Sequence, residues 1–314
     1  KLASAIYTMG ELSLLRSFAV SEGVVVLVQG MTSDCLLGSD VVIPKAILAH
    51  SWTCLGKFCL QDEDLAKRFI PLFFHEIKST EVSAVRNNIM LILADLCTKY
   101  TNLVDVHIGE IAKCFDDPSE MVRRQTLIVL ASLLQQDVLK WRGPIFHCFL
   151  LSLVDESASV RSLGNFLLST SLSHKASLLA YNFFVQTLFV LNGHDGYANL
   201  SMSLESQALV ATSIRDLAGS DEGNRQKRCV VYHHLLKRMT PEHKFQIAAK
   251  ICEDCVGGFV EGKLCFDAQG EILRDSLLVL ASREIKAEVS CAREDEEDGR
   301  RQALARAKGK LISA

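Results

Sequence analysis

Long apolar runs are missing from this sequence. The longest, Gly23 to Val28, is far too short to cross a bilayer, and no signal peptide is visible. A strong charge of either sign is missing too. The net charge of −3 and pI near 6.3 exert no global pull toward nucleic acid, so any such contact has to come from local patches. An initiator Met is absent at Lys1, and the chain reads as a piece of something longer. The sequence carries no Gly-x-x-x-x-Gly-Lys-Ser/Thr, no Gly-x-Gly-x-x-Gly, no Gly-x-Ser-x-Gly and no His-Glu-x-x-His. The chain is therefore read as a non-enzyme. No catalytic, cofactor-binding or metal-ligating residue is assigned, no cofactor or small-molecule substrate is expected, and no membrane contact.

What is present is cysteine in an odd number, eleven. Cys54, Cys59, Cys97, Cys114 and Cys148 fall at core positions of predicted helices, where free thiols act as small hydrophobes. Unpaired core thiols point to a reducing compartment, cytosol or nucleus.

Also present is a phrase that recurs. Val85-Arg86, Val122-Arg123 and Val160-Arg161 stand 37 and 38 residues apart. Behind each runs an apolar comb at helical offsets: Val85, Ile89, Ile92, Leu93, Leu96; then Val122, Val129, Leu130, Leu133; then Val160, Leu167, Leu168, Leu172. Five residues ahead of each Val stands Thr80, Asp117 or Asp155, expected to accept hydrogen bonds from the free N–H groups of the first helical turn. A second helix follows in each copy, marked by Leu103, Ile108, Ile111 and Phe115, then Trp141, Phe146, Phe149 and Leu153. Walking back 38 residues gives Ile47, Cys54, Leu55 and Phe58 in the same places. A lone hairpin cannot bury its apolar face, whereas stacked hairpins share one core. The expected fold is all-α, a HEAT-type α-solenoid of ARM-like antiparallel helix pairs.

In order, residues 1–43 read as a partial first repeat. Its opening helix spans 2–18, and Gly23 to Gln29 is taken as a helix although β-propensity alone would make it a strand. Residues 33–40 read as a loop, and Pro44 stands where a helix can begin. Residues 44–191 hold four hairpins, and 192–223 form a polar insertion with one short helix at 204–217. Residues 224–290 hold further helices, with Thr240-Pro241 opening one and Gly257-Gly258 ending it. Residues 291–314 are a charged tail, read as a solvated helix or disordered end, or else as a basic contact arm.

Two constellations bear weighing. Cys252-x-x-Cys255 with Cys229 and His233 has metal-ligand spacing, yet 251–256 reads as helix interior, where core thiols are the better reading. Arg86, Arg123 and Arg161 recur at one repeat position and would stack into a ladder, pairing with Asp117 or Asp155 of a neighbouring repeat. The functional alternative is a phosphate-facing stripe strengthened by Arg124, Lys140 and Arg142.

Asp117-Pro118-Ser119-x-x-Val122-Arg123 resembles HEAT repeats specifically. Val85 to Tyr100, Leu139-Lys-Trp-Arg-Gly143, Thr240-Pro-Glu-His-Lys-Phe-Gln-Ile-Ala-Ala-Lys-Ile-Cys252 and Ser276 to Lys286 resemble the C-terminal HEAT region of condensin D-type subunits, the condensin II form more than the condensin I form. Residues 23–40 and 192–223 match nothing in that pattern. The resemblance implies a non-catalytic scaffold that grips the kleisin, joins the SMC subunits and holds DNA or chromatin with its histones. It also implies a place in mitotic chromosome condensation during cell division, in the nucleus and on the chromosome, with time in the cytoplasm during part of the cell cycle. Arg123, Arg124, Lys140 and Arg142 are the residues expected to touch the DNA backbone. The other reading is a HEAT adaptor or transport scaffold unrelated to chromosomes.

Overall fold

The structure, a computed structural model, describes residues 1–15, 20–32, 43–105, 107–194 and 217–285. The loop at 33–40, the insertion helix at 204–217 except its last residue, the end of the first helix at 16–18 and the tail at 291–314 lie outside the described residues. Every regular element among the described residues is helical. The fold class is all-α, a HEAT-repeat solenoid.

The chain forms two compact units, Lys1–Leu167 and Leu168–Ala314. In the first, α1 (Leu2–Ser13) and α2 (Glu22–Gly30) make a short opening pair. The Val-rich run of α2 is helical, as its surroundings require: with no strand among the described residues to pair with, a helix is what satisfies its backbone N–H and C=O groups. Next comes α3 (Lys45–Gln61) with α4 (Glu63–Ser79), where Asp62 caps α4 by accepting from the N–H groups of Asp64 and Leu65. The following pair is α5 (Ser83–Lys99) and a broken second helix, made of α6 (Thr101–Asp105), α7 (Ile108–Ala112) and the 3₁₀ turn Lys113–Asp116. Then come α8 (Glu120–Gln135), α9 (Gly143–Leu151), the 3₁₀ turn Ser152–Val154 and α10 (Ala158–Phe166).

The leading helix of each pair packs on the next, α1 on α3, α3 on α5, α5 on α8 and α8 on α10. The apolar combs face this stack: Val85, Ile89, Leu93, Leu96, Val122, Leu130 and Val160 are all buried. Cys54, Cys59, Cys97, Cys114 and Cys148 are buried free thiols. Desolvation pushes the Cys54, Cys59, Cys114 and Cys148 thiols up to about 12, so they stay protonated and inert. At Gly56 the leading helices come close enough that an added Cβ would lie 2.5 Å from Ile92 Cγ2.

The second unit opens with the π-helical turn Leu167–Ser171, whose first residue still belongs to unit one, and continues into α11 (Ser173–Leu191). After residue 217 come α12 (Glu222–Arg238) and α13 (Pro241–Lys250), the latter capped by Thr240, whose hydroxyl accepts from His243 N–H. Gly257-Gly258 does not end this segment. A π-helical stretch, Ile251–Gly257, carries the chain through into α14 (Gly258–Val260). The stop comes at Gly262 with φ +72, where the N–H groups of Lys263 and Leu264 both donate to Gly258 O. The left-handed conformation that closes a helix falls on the glycine that can hold it. The last described helix, α15 (Phe266–Leu280), packs with α11 and the π-helical stretch.

Candidate functional site

The arginine of each repeated phrase is tied into the fold by one shared contact. It reaches back to the carbonyl six residues earlier: Arg86 Nη1 to Thr80 O (3.0 Å), Arg123 Nη1 to Asp117 O (2.8 Å), Arg161 Nη1 to Asp155 O (2.6 Å). The first two also reach forward. Arg86 donates through Nε and Nη2 to Asp117 Oδ2 and Oδ1 at 2.7 and 2.8 Å, and Arg123 to Asp155 Oδ2 and Oδ1 at 2.9 and 3.1 Å. These are two-pronged bonds between a planar fork and a carboxylate, the geometry in which arginine outperforms lysine. Asp117 and Asp155 in turn accept the N–H two residues on, from Ser119 and Ser157, each at 2.8 Å. Thr80 does the same for Val82.

This corrects the capping expectation. Thr80, Asp117 and Asp155 stand two residues ahead of the N-caps Val82, Ser119 and Ser157, and they accept the N–H of the cap residue rather than those of the first turn. The shift frees each aspartate to hold an arginine. Arg161, at the third position, is exposed, and among the described residues its partners are backbone alone, the carbonyls of Asp155 and Glu156.

The four residues expected to touch DNA are not brought together. Arg123 is buried, and its donors are taken by Asp155, Glu156 and the carbonyls of Asp117 and Pro118, so its guanidinium faces the protein and not solvent. Arg124, Lys140 and Arg142 are exposed. Arg124 lies in the first turns of α8, while Lys140 and Arg142 follow its C-terminus, so roughly 16 Å of helix separates them.

The cysteine and histidine group does not converge either. Cys252 is exposed, Cys255 is buried, and His233 Nδ1 lies 2.9 Å from Glu284 Oε1. Among the described residues no three His, Cys, Asp or Glu side chains stand where they could hold a metal ion. None of the described helices is long and apolar enough to cross a membrane.

Spacing gave no hint of the buried network in the second unit. Arg228, fully buried, donates to Asp275 Oδ2 (2.7 Å), Glu271 Oε2 (3.1 Å) and the carbonyls of Leu217 and Gly219. Tyr232 Oη and Asn192 Nδ2 also donate to Asp275 Oδ2, at 2.9 and 3.0 Å. Burial and the Asp275 carboxylate push the Tyr232 phenol well above its ordinary range. One carboxylate thus ties together Asn192, where the insertion begins, and Arg228, which holds the chain where it returns.

Residues 84–256 match the family model described as non-SMC mitotic condensation complex subunit 1, and residues 1–77 match condensin-2 complex subunit D3-like HEAT repeats. The chain belongs to the condensin D-type family. This condensin D-type chain is 37% identical over 309 residues to condensin-2 complex subunit CAP-D3 of Arabidopsis thaliana, covering 92% of itself and 23% of that protein. It is 33% identical over 310 residues to condensin-2 complex subunit D3 of Mus musculus, covering 91% of itself and 20% of the relative. Condensin complex subunit 1 of Mus musculus matches 28% over 151 residues, 48% of this chain and 11% of its own length. The likeness is therefore broader to the condensin-2 form. The condensin D-type chain spans about a fifth of the length of these condensin-2 relatives.

Proposed function

We propose that the chain is a non-catalytic scaffold segment of a condensin complex. It binds the kleisin, stands beside the SMC subunits and contacts DNA or chromatin during mitotic chromosome condensation, in the nucleus and on the chromosome. The observation that carries this reading is the pair of condensin family matches, one on each side of residues 78–83. The ladder supports it physically: rungs that lock one hairpin to the next stiffen a surface that has to grip an extended partner.

Co-expression of the 314-residue chain with the kleisin and the SMC subunits tests it. A kleisin that copurifies and cross-links to the stacked helices is the expected result. A chain that associates with no condensin subunit overturns the reading. For DNA, Arg124, Lys140 and Arg142 are the solvent-facing candidates, with Arg123 left out because its charge is spent inside the fold. Reversing all three to Glu is expected to flatten the dependence of log affinity on log salt by about 2 to 3, since each phosphate contact contributes roughly 0.9. An unchanged slope on duplex DNA removes these residues from the interface.

A further inference from the structure

Six residues past each repeated Val stands a large apolar side chain that the stack does not cover: Leu91, Ile128 and Phe166, at 40%, 43% and 54% exposure. The spacing of 37 and 38 is that of the repeat, so they occupy one position on α5, α8 and α10, which pack consecutively. Single exposed apolar residues need no explanation, but three in register across adjacent helices form a stripe. Beside it, three residues earlier on α5 and α8, stand Asn88 and Gln125, and Leu163 holds that position on α10. Asn88 Nδ2 donates to Thr53 Oγ1 (3.2 Å) and Ala49 O (3.4 Å), leaving its oxygen as an acceptor, and Gln125 carries no hydrogen bond to the described residues. At the Leu91 end the stripe opens into a pocket of about 320 Å³ lined by Tyr7, Leu60, Leu91 and Ile92. Asp95 stands in its wall, one helical turn beyond Leu91. It has no hydrogen-bond or ion-pair partner among the described residues, because the nearby Lys57 is held by Glu11 at 2.5 Å.

We propose that this face of the first unit is a docking track for an extended protein segment, with apolar side chains at every third position and a Lys or Arg that enters the pocket to meet Asp95. The period follows from geometry. Packed helices lie roughly 10 Å apart, and an extended segment in the polyproline-II conformation rises about 3.1 Å per residue with three residues per turn, so every third side chain returns to one side and reaches the next exposed residue. The two amides favour an extended occupant over a helical one, because an extended backbone presents unpaired N–H and C=O groups that Asn88 and Gln125 can satisfy. The charge follows from Asp95, which shares the pocket wall with Lys57; the Lys57 ammonium is paired with Glu11, and Asp95 is left without an ion-pair partner among the described residues. Lys and Arg suit it, with aliphatic stems for Tyr7 and Leu60 and a cation for the carboxylate. Partial desolvation already pushes the carboxyl of the exposed Asp95 up, against the pull of Lys57, and an arriving cation relieves that cost.

Selection of random displayed peptides on the 314-residue chain, with counter-selection on the Leu91→Asp/Ile128→Asp variant, tests the track. Recovered sequences are expected to repeat an apolar residue every third position and to end in Lys or Arg. A synthetic peptide of that consensus is expected to lose at least tenfold in affinity on Ile128→Asp alone and on Asp95→Arg. Replacing its basic residue by Glu is expected to restore binding to the Asp95→Arg chain. All three substituted side chains are exposed, so the helical signal and melting point serve as the folding control. The proposal is overturned if no peptide survives counter-selection, if the survivors lack the third-residue period, or if Asp95→Arg leaves affinity unchanged. It is equally overturned if the chain self-associates in sedimentation and Ile128→Asp makes it monomeric, which assigns the face to a second copy.

Discussion

Replacing Arg86 by alanine removes three hydrogen bonds and strands a carboxylate. Asp117 loses both prongs of its partner and keeps only Ser119 N–H, while Thr80 O loses its donor. The side chains of Arg86 and Asp117 are 10% and 6% exposed, so water cannot replace what is lost. Breaking a buried pair from one side costs about 3 to 5 kcal/mol, against about 0 to 1 for an exposed pair. Removing Asp117 as well takes away the stranded charge, at the expense of the Ser119 contact, which contributes about 1 kcal/mol. The double variant Arg86→Ala/Asp117→Ala should therefore be more stable than the sum of the two single losses by roughly 2 to 3 kcal/mol. Arg161→Ala is the internal comparison: the same repeat position without a carboxylate, expected to cost under about 1 kcal/mol. Urea unfolding of the 314-residue chain, followed by circular dichroism at 222 nm, reads all of these. An Arg86→Ala loss as small as that of Arg161→Ala, or additivity within about 0.5 kcal/mol, would refute the claim that the rungs lock the layers.

Three further outcomes follow from the same structure. His147 is buried, and desolvation brings its imidazole down to about 4, so it stays neutral in the fold while the unfolded chain takes up a proton near 6.5. Stability attributable to it is present above pH 6.5 and falls as pH drops, by roughly 3 kcal/mol at pH 4; His147→Phe should flatten the stability profile between pH 6.5 and 4, and an unchanged profile would count against the assignment. Gly56→Ala should destabilise by about 1 to 3 kcal/mol, because its Cβ meets Ile92 Cγ2, Cγ1 and Cδ1 at 2.5, 2.6 and 2.8 Å. In an Ile92→Ala background the same change should be neutral or stabilising, as helix propensity takes over, and melting temperatures of the four proteins decide. Asp275→Ala leaves Arg228, Tyr232 and Asn192 facing a void and should cost about 3 to 5 kcal/mol; Asp275→Asn, which keeps an acceptor, should cost less, and equal losses would show that the network is not organised by this residue.

Periodicity carried most of what could be read in advance. Combs such as Val85, Ile89, Leu93 and Leu96 mark helices because burial on one side imposes a 3.6-residue period whatever the partner is. Propensity alone misreads Glu22–Gly30: four valines favour a strand, and the helical surroundings overrule them. Gly257-Gly258 misleads in the opposite direction, since glycine permits a stop without compelling one, and the left-handed residue is Gly262. Arg123 shows the limit most clearly. Its place beside Arg124 suits a basic patch, yet neighbouring residues on a helix point about 100° apart, and one of the two is turned into the stack.

By itself the sequence determined the helical pairs, the repeat of 37 to 38 residues and the family, since these reside in local patterns that survive without knowledge of the partner helix. Only the tertiary structure decided that Arg86 and Arg123 spend their charge on Asp117 and Asp155 while Arg161 does not. The buried carboxylate of Asp275 and the exposed row of Leu91, Ile128 and Phe166 emerged only there too. Those outcomes depend on how far one helix slides and turns against the next, and a shift of one residue there exchanges a buried side chain for an exposed one.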